Sequence, residues 1–375
     1  MIVNYGLFFY LPTLLNSLMN LLVKLSDKFI KTLLLHTFFL KVNTPAISVI
    51  LPFFNAVQTL KNAMKSIQHQ SFGDFECILV NNNSTDGAAE IARQWVKNDK
   101  RFILVEEKKQ GVVHAFSKGL SYARAKYIAR MDSDDQCLTQ RFSAQHQWLE
   151  NNPEVVAVGG KVILVTENTS DESFRRYIEW SNSLTTPADI EKQQFIELPV
   201  VNPTLMWRRE VGEKYGCYRE GSFPEDYEMV LRWLSQGLKI HKLNQNVLRW
   251  FDHENRLTRT DERYSQNAFF RIKTLYLAQW LNKVKASEKE ILIWGASKKS
   301  RHYAAMLPNY NIHFSGYIDI KETRQLSLPV IHFEDLPSPG RYFILVYVFH
   351  PAQRKQINAY LLEKGYAEGE SFLHM

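Results

Sequence analysis

From residue 47 onward, short apolar runs alternate with stretches whose apolar positions recur every three or four residues. The runs Ile47–Phe54 (ISVILPFF), Phe75–Val80 (FECILV), Phe102–Glu107 (FILVEE) and Lys126–Met131 (KYIARM) read as buried strands. Between them, Thr59–Gln70, Asp86–Asn98 and Val113–Ala123 carry helical spacing. This alternation predicts an α/β fold, a parallel sheet covered by helices. A long helical pattern over Asp261–Lys285 follows, and from Glu288 a second alternation begins with EILIWGAS, HFSGYIDI, LPVIHF and RYFILVYV, closed by a helix over Gln353–Lys364. It predicts a small Rossmann-like unit. The expected organisation is an apolar N-terminal segment (1–45), a first α/β domain (46–260), a helical linker (261–287) and an accessory domain (288–375).

Tyr5–Val23 carries no charge and approaches the ~20 residues that cross a bilayer. Pro12, Asn16 and Asn20 interrupt it, and Lys24, Lys28, Lys31 and Lys41 follow. By the positive-inside bias those lysines keep the rest of the chain cytoplasmic. Three readings stay open: a spanning anchor, a segment attached to the inner face of a membrane, and residues from an upstream start that the folded protein does not need.

The chain's 375 residues, 45% of them hydrophobic, allow a large core and more than one domain. A formal charge of +7 fits polyanionic or membrane-surface partners, although 46 basic against 39 acidic residues is a small excess. Cys77, Cys137 and Cys217 are odd in number, widely spaced and without zinc-type spacing, so neither a disulfide framework nor a structural metal is indicated, and a reducing compartment fits.

In open parallel sheets ligands gather at the carboxyl ends of the strands. Those ends carry Asn55, then Asn81, Asn82 and Asn83, then Asp132, Asp134 and Asp135. Carboxylates crowded this closely at the end of a buried element need a cation, donors or water to offset repulsion and desolvation. A divalent metal answers that need; a solvated acidic turn is the plainer alternative.

The segments SVILPFFN, ILVNNNSTDG, QGVVHAFSKGLSYARAKYIARMDSDD and FPEDYEMVLRWLSQG, in that order, resemble the successive motifs of the family 2 glycosyltransferases. The resemblance runs over about 46–255. It implies a GT-A fold and inverting transfer of a sugar from a nucleotide sugar to a hydroxyl. Pro52, Asn55, Asn82, Ser84, Asp86, Gly111 and Asp132 are then expected around the donor, Asp134 and His253 around Mn²⁺ or Mg²⁺, and Asp226 as the base. Glu225, Arg208, Tyr177 and Trp180 are expected on the acceptor side, with Arg256 or Arg259 near the diphosphate. The metal would stabilise the departing diphosphate as a Lewis acid.

Two departures from the family pattern matter. Asn82 stands where a carboxylate usually accepts the uracil N–H, and Trp250-Phe251 replaces a Tyr-Arg pair. UDP is the expected nucleotide because an amide carbonyl also accepts. The same departures keep open a nucleotide-sugar-binding protein without turnover. Asp226, ahead of an apolar helical run, also suits a helix N-cap.

The stretch Thr166–Pro199 is expected to choose the acceptor, because loops on a fixed scaffold vary most easily. Its Arg175, Arg176, Tyr177 and Trp180 suit stacking on sugars or nucleobases; a helix face packed on the sheet is the alternative. Beyond residue 45, RYIEWSNSLT, IWGASKKSR, GYIDIKETR, LPVIHF and EGESFLHM are similar to a branch of the family associated with galactosylation of queuosine in tRNA. The acceptor is thus expected to be either a glycan, including a lipid-linked one, or tRNA. Gly295–Ser300 lacks the second and third glycines of the dinucleotide fingerprint, which argues against bound NAD, and Asp319 reads as inherited fold.

Overall fold

The computed structural model describes residues 44–166, 172–254, 256–284, 286, 289–321 and 326–375, so the apolar stretch at 5–23 lies outside the described residues. Among the described residues no helix is long and apolar enough to cross a membrane.

Eight strands form the first sheet: β1 (Ile47–Phe53), β2 (Phe75–Asn81), β3 (Phe102–Glu106), β4 (Tyr127–Arg130), β5 (Gln136–Cys137), β6 (Val155–Thr166), β7 (Met206–Arg208) and β8 (Lys239–Asp252). Their order is β3-β2-β1-β4-β7-β6-β8-β5. The first four lie parallel, as the apolar runs predict. Every residue of β1 and β2 is buried, and for that reason these strands read as continuous rather than alternating apolar runs. Helices Leu60–Gln68, Ala88–Asn98 and Val112–Leu120 connect them.

The sequence pattern assigns no strand to 155–166 or 239–252, yet β6 and β8 pair in parallel along almost their whole lengths. The Gly159-Gly160 step weakens the strand signal of β6, and exposed Asn244, Gln245 and Asn246 weaken that of β8. The register shifts between Gly160 and Lys161, and there the two strands approach closely. A Cβ on Gly160 would lie 2.5 and 2.6 Å from the two Val247 methyls. The expected acceptor loop also holds two helices, Glu172–Ser183 and Pro187–Gln193, the second opened by a capping box of Thr186 and Asp189.

A second sheet, wholly parallel, has the order β11-β10-β9-β12-β13. Its strands are β9 (Glu290–Trp294), β10 (Gly316–Asp319), β11 (Val330–His332), β12 (Tyr342–Val346) and β13 (Phe372–His374). The last is only three residues long and is absent from the sequence pattern. Asp319 accepts the Ala296 N–H at 2.8 Å and ties β10 to the turn after β9.

The expected linker is a helix, Gln266–Lys283, with buried residues on more than one face. Phe270 stacks on Tyr303 with ring centres 3.6 Å apart, Trp280 lies 6.0 Å from Phe343, and Tyr276 donates to Glu228 at 2.7 Å. One apolar cluster therefore continues from Trp207 and Trp233 of the first sheet's core through this helix to Ile293 and Leu345 of the second sheet.

Substituting Gly160→Ala should destabilise the protein by about 1–3 kcal/mol through overpacking against Val247. Urea unfolding followed by circular dichroism checks this; an unchanged midpoint would mean that β8 gives way without cost.

Candidate active site

The carboxyl ends of β1, β2 and β4 open onto one large cleft of about 2310 Å³. Pro52, Asn55, Asn82, Gly111, Asp132, Asp134, Tyr177, Trp180, Glu225, Asp226 and His253 all line it. Ser84, Asp86 and Arg208, also expected at the site, do not.

The acidic cluster is assembled by β8. Directly after the aspartates, β5 pairs antiparallel with β8, placing Gln136 opposite Arg249. The Phe251 N–H then donates to Asp135 Oδ1 at 3.0 Å, and His253 Nε2 lies 2.8 Å from Asp134 Oδ2. Asp135 is fully buried and bonded to a neighbouring strand. Asp132 faces the other way, with its Oδ1 2.5 Å from Arg130 Nη2.

One carboxylate oxygen from each of Asp132, Asp134 and Asp135 falls within 4.8 Å of the others. Burial pushes the Asp135 carboxyl well up, and the charges of Asp134 and Asp132 add to this. Burial also raises Asp132, with Arg130 opposing. At Asp134 burial is outweighed by the His253 hydrogen bond and the Arg256 charge, so its carboxyl is held below the usual range. Three hard oxygens, one of them a buried Asp135 Oδ2 without a protein partner, suit Mg²⁺ or Mn²⁺. His253 adjoins this group through Asp134. Arg256 lies over the Trp250 ring at 4.1 Å and 3.9 Å from Asp134, whereas Arg259 pairs with Asp252 at 2.9 Å.

Also at the cleft, the helix Glu225–Ser235 begins with Pro224 at its N-cap, so Asp226 is inside the first turn and is not the cap. The helix is enclosed along most of its length, and Trp233 packs on Trp207 at 5.8 Å. Glu225 is buried with the Tyr264 hydroxyl 2.8 Å from each of its oxygens. It lines the cleft next to Asp226 with both oxygens held by Tyr264. Burial, reinforced by the Glu225 charge, raises the Asp226 carboxyl well above the ordinary range. Strand alternation puts Arg130 on this same face, under Phe116 and beside Asp132. Its Nε and Nη1 are buried and have no hydrogen-bond partner among the described residues. Sequence reading misses Arg130 because a single arginine inside an apolar strand carries no motif.

Asn82 is buried and already occupied: its amide donates to Glu107 O at 2.9 Å and Lys109 O at 2.8 Å, and its carbonyl accepts the Gly111 N–H at 2.8 Å. The side chain pins the glycine turn ahead of Val112–Leu120, where Gly111 has φ 132°. Ser84 and Asp86 are scaffolding too. Ser84 Oγ accepts the Asn55 N–H at 3.1 Å, and Asp86 accepts from Val57 at 2.8 Å and from Ala88 at 3.0 Å. They brace the turn after β1 against the turn after β2.

Arg208 is the clearest correction. It follows Trp207 in β7 and so points to the opposite face of the sheet, where it is buried against the helix Arg141–Asn151. There it donates to Leu149 O at 2.6 Å, Asn152 O at 3.1 Å, Val155 O at 3.1 Å and the Tyr127 hydroxyl at 3.1 Å. A cation holding helix C-terminal carbonyls needs no acceptor to explain it. Tyr177 and Trp180 do line the cleft, with their polar atoms given to Leu198 O at 3.1 Å and Gln193 at 3.2 Å.

Residues 48–216 match the model of glycosyl transferase family 2. The chain is 26% identical over 248 residues to an uncharacterized glycosyltransferase of Methanocaldococcus jannaschii, covering 65% of this chain and 82% of that one. It is 28% identical over 199 residues to the amylovoran biosynthesis glycosyltransferase AmsE of Erwinia amylovora, covering 52% and 72%. In structure it resembles residues 1–349 of S. aureus TarS, crystallised with UDP-GlcNAc, with a TM-score of 0.51 at 16% identity over 71% of each chain. That likeness speaks for the fold, which is of the GT-A kind. The family match ends ahead of Asp226 and of the second sheet.

Replacing Arg208 with Met should lower stability by about 2–4 kcal/mol, because buried carbonyls lose their donors. Thermal unfolding measures it. An acceptor-binding role would instead appear as a raised acceptor KM at unchanged stability.

Proposed function

From the match of residues 48–216 to the model of glycosyl transferase family 2, we propose that this protein moves a sugar from a UDP-sugar to an acceptor hydroxyl with inversion at the anomeric carbon. The observation that carries this reading is that Asp132, Asp134 and Asp226 line one cleft at the carboxyl edge of a GT-A sheet. UDP is favoured by the motif order and by its presence with TarS, whose fold this chain shares. Asp134, with Asp132 and Asp135, would hold Mg²⁺ or Mn²⁺. When bound, that ion supplies positive charge to the diphosphate oxygens.

The chain's own residues do the rest. The Gly111 turn, fixed by Asn82, shapes the nucleotide end, and Arg130 offers two buried N–H groups to ligand oxygens between the two acidic motifs. Asp226 accepts the proton as the acceptor oxygen attacks the anomeric carbon and the nucleotide diphosphate departs from the opposite face. A carboxylate whose proton affinity is raised by burial and by Glu225 is a stronger base than a solvated one.

The acceptor is a glycan, including a lipid-linked one, or queuosine in tRNA. The overall charge of +7 favours the tRNA, while the lipid reading leans on residues 5–23. Label from a panel of UDP-sugars with Mn²⁺, scored in bulk tRNA and in membrane lipid, decides between them; label in neither, with no hydrolysis, would favour nucleotide-sugar binding without turnover.

Asp226→Asn should leave UDP affinity within about twofold and lower transfer by about 10²–10⁴-fold. Collapse of UDP binding in that variant would make Asp226 structural. Because its carboxyl is raised, transfer should fall as pH drops through a value above the ordinary carboxylate range, since protonation removes the base; a pH–rate profile checks the sign. Asp134→Ala should abolish metal-dependent UDP binding in calorimetry, and retained Mn²⁺-dependent affinity would remove it from the metal group.

A further inference from the structure

The cleft does not stop at the first sheet. It continues along Gln266–Lys283 to the second sheet, where Lys273, Lys299, Arg354 and Lys355 line it. Three of these cations gather around one pair of aromatic rings. Phe270 and Phe349 meet edge to face at 5.6 Å. Lys273 Nζ is 3.7 Å from the centre of the Phe270 ring, Lys299 Nζ is 4.8 Å from that of Phe349, and Arg354 Nη2 is 3.4 Å from Phe349 O.

The group has more positive charge than the protein neutralises. Among the described residues, none of these cations forms an ion pair within 4.0 Å, and the carboxylate whose field reaches both Lys273 and Arg354 is that of Glu197. Lys273 is only 3% exposed, and its hydrogen bond among the described residues is a long one of 3.4 Å to Ile196 O. Burial, opposed by Glu197, pushes its ammonium down to about 7. Arg354 Nε is buried and has no hydrogen-bond partner among the described residues. A buried ammonium with one weak acceptor is costly unless an anion accompanies it.

The backbone adds to the same field. Arg354 and Lys355 belong to the first turns of the helix Pro351–Glu363, whose N-cap His350 makes no side-chain cap and whose N1 is proline. The start of this helix lines the cleft through Pro351, Arg354 and Lys355, so the positive end of its dipole lies beside the same space. Several cations and flat rings match a group with several anionic oxygens better than a single carboxylate.

We propose that this wall is an acceptor subsite that binds a phosphate group, so that the second sheet selects acceptors carrying phosphate near the hydroxyl to be glycosylated. The assignment as an acceptor subsite rests on the glycosyl-transfer reading; the phosphate site itself does not. Because Lys299 and Lys355 are exposed, the wall can be altered without opening the core.

The test is calorimetric titration of the full-length protein with inorganic phosphate, with and without saturating UDP and Mg²⁺. Phosphate should bind in both conditions, and Lys299→Glu and the double variant Lys299→Glu/Arg354→Ala should weaken it tenfold or more while UDP affinity stays within twofold. Absence of phosphate binding by the wild type, or unchanged affinity in both variants, would overturn the proposal. Failure of the wild type to bind UDP would overturn the donor reading instead and leave the phosphate result readable. Displacement of phosphate by short single-stranded RNA, or by polyprenyl phosphate in micelles, supports the subsite and tells a phosphodiester source from a lipid one.

Discussion

The need to hold three carboxylates within 4.8 Å of one another inside a folded chain organises the first sheet. Like charges at that spacing repel, and burial makes each of them costlier. The compensation comes from β8 and the turn after it, which bring the Phe251 N–H to Asp135, the His253 ring to Asp134 and the Arg256 guanidinium near both. Arg130 of β4 balances Asp132 from the other side. The long parallel pairing of β6 with β8 is therefore a condition of the site and not an appendage to the parallel half of the sheet. The close approach at Gly160 and Val247 fixes where β8 runs, and β8 fixes where the balancing groups fall.

The helix Gln266–Lys283 plays a comparable role between the two sheets. A tether would bury one stripe or none, whereas this helix buries Phe270, Tyr276, Leu277, Trp280 and Leu281 between partners on different sides. Burial of large aromatic side chains against both sheets, worth roughly 1.5–3 kcal/mol for each fully buried chain, favours one fixed arrangement over a swinging pair. The cleft inherits that rigidity, since Glu225 and Tyr264 at one end and Lys273 at the other are set by the same packing.

Much of this was legible in the amino-acid sequence, and the part that was not has physical causes. β1 to β4 and their helices announce themselves because each is an uninterrupted apolar run or a regular helical stripe. The convergence of Asn55, Asn82, Asp132 and Asp134 follows from a parallel sheet alone. β6 and β8 stay hidden because paired glycines and exposed polar residues mask their period. Ser84, Asp86 and Arg208 sit in suggestive positions, but a short polar side chain in a turn serves the backbone as readily as a ligand, and which face an arginine in a three-residue strand takes depends on strand register. The cationic wall around Phe270 and Phe349 joins residues from 273 to 355, and no local pattern brings them together.

The bond between Asp135 and Phe251 spans 116 residues of chain. On a ribosome the aspartates emerge and the parallel half of the sheet can close long before β8 exists. Until β8 arrives, the acidic loop has water, Arg130 and Arg141 to offset its charge but lacks the Phe251 N–H, His253 and Arg256. Closing so long a loop late is entropically costly and slow compared with the local pairings that precede it. The step that assembles the acidic site is thus also the step that hides its charge, so a nascent chain cannot present an assembled acidic pocket to passing cations before β8 and the turn after it are in place.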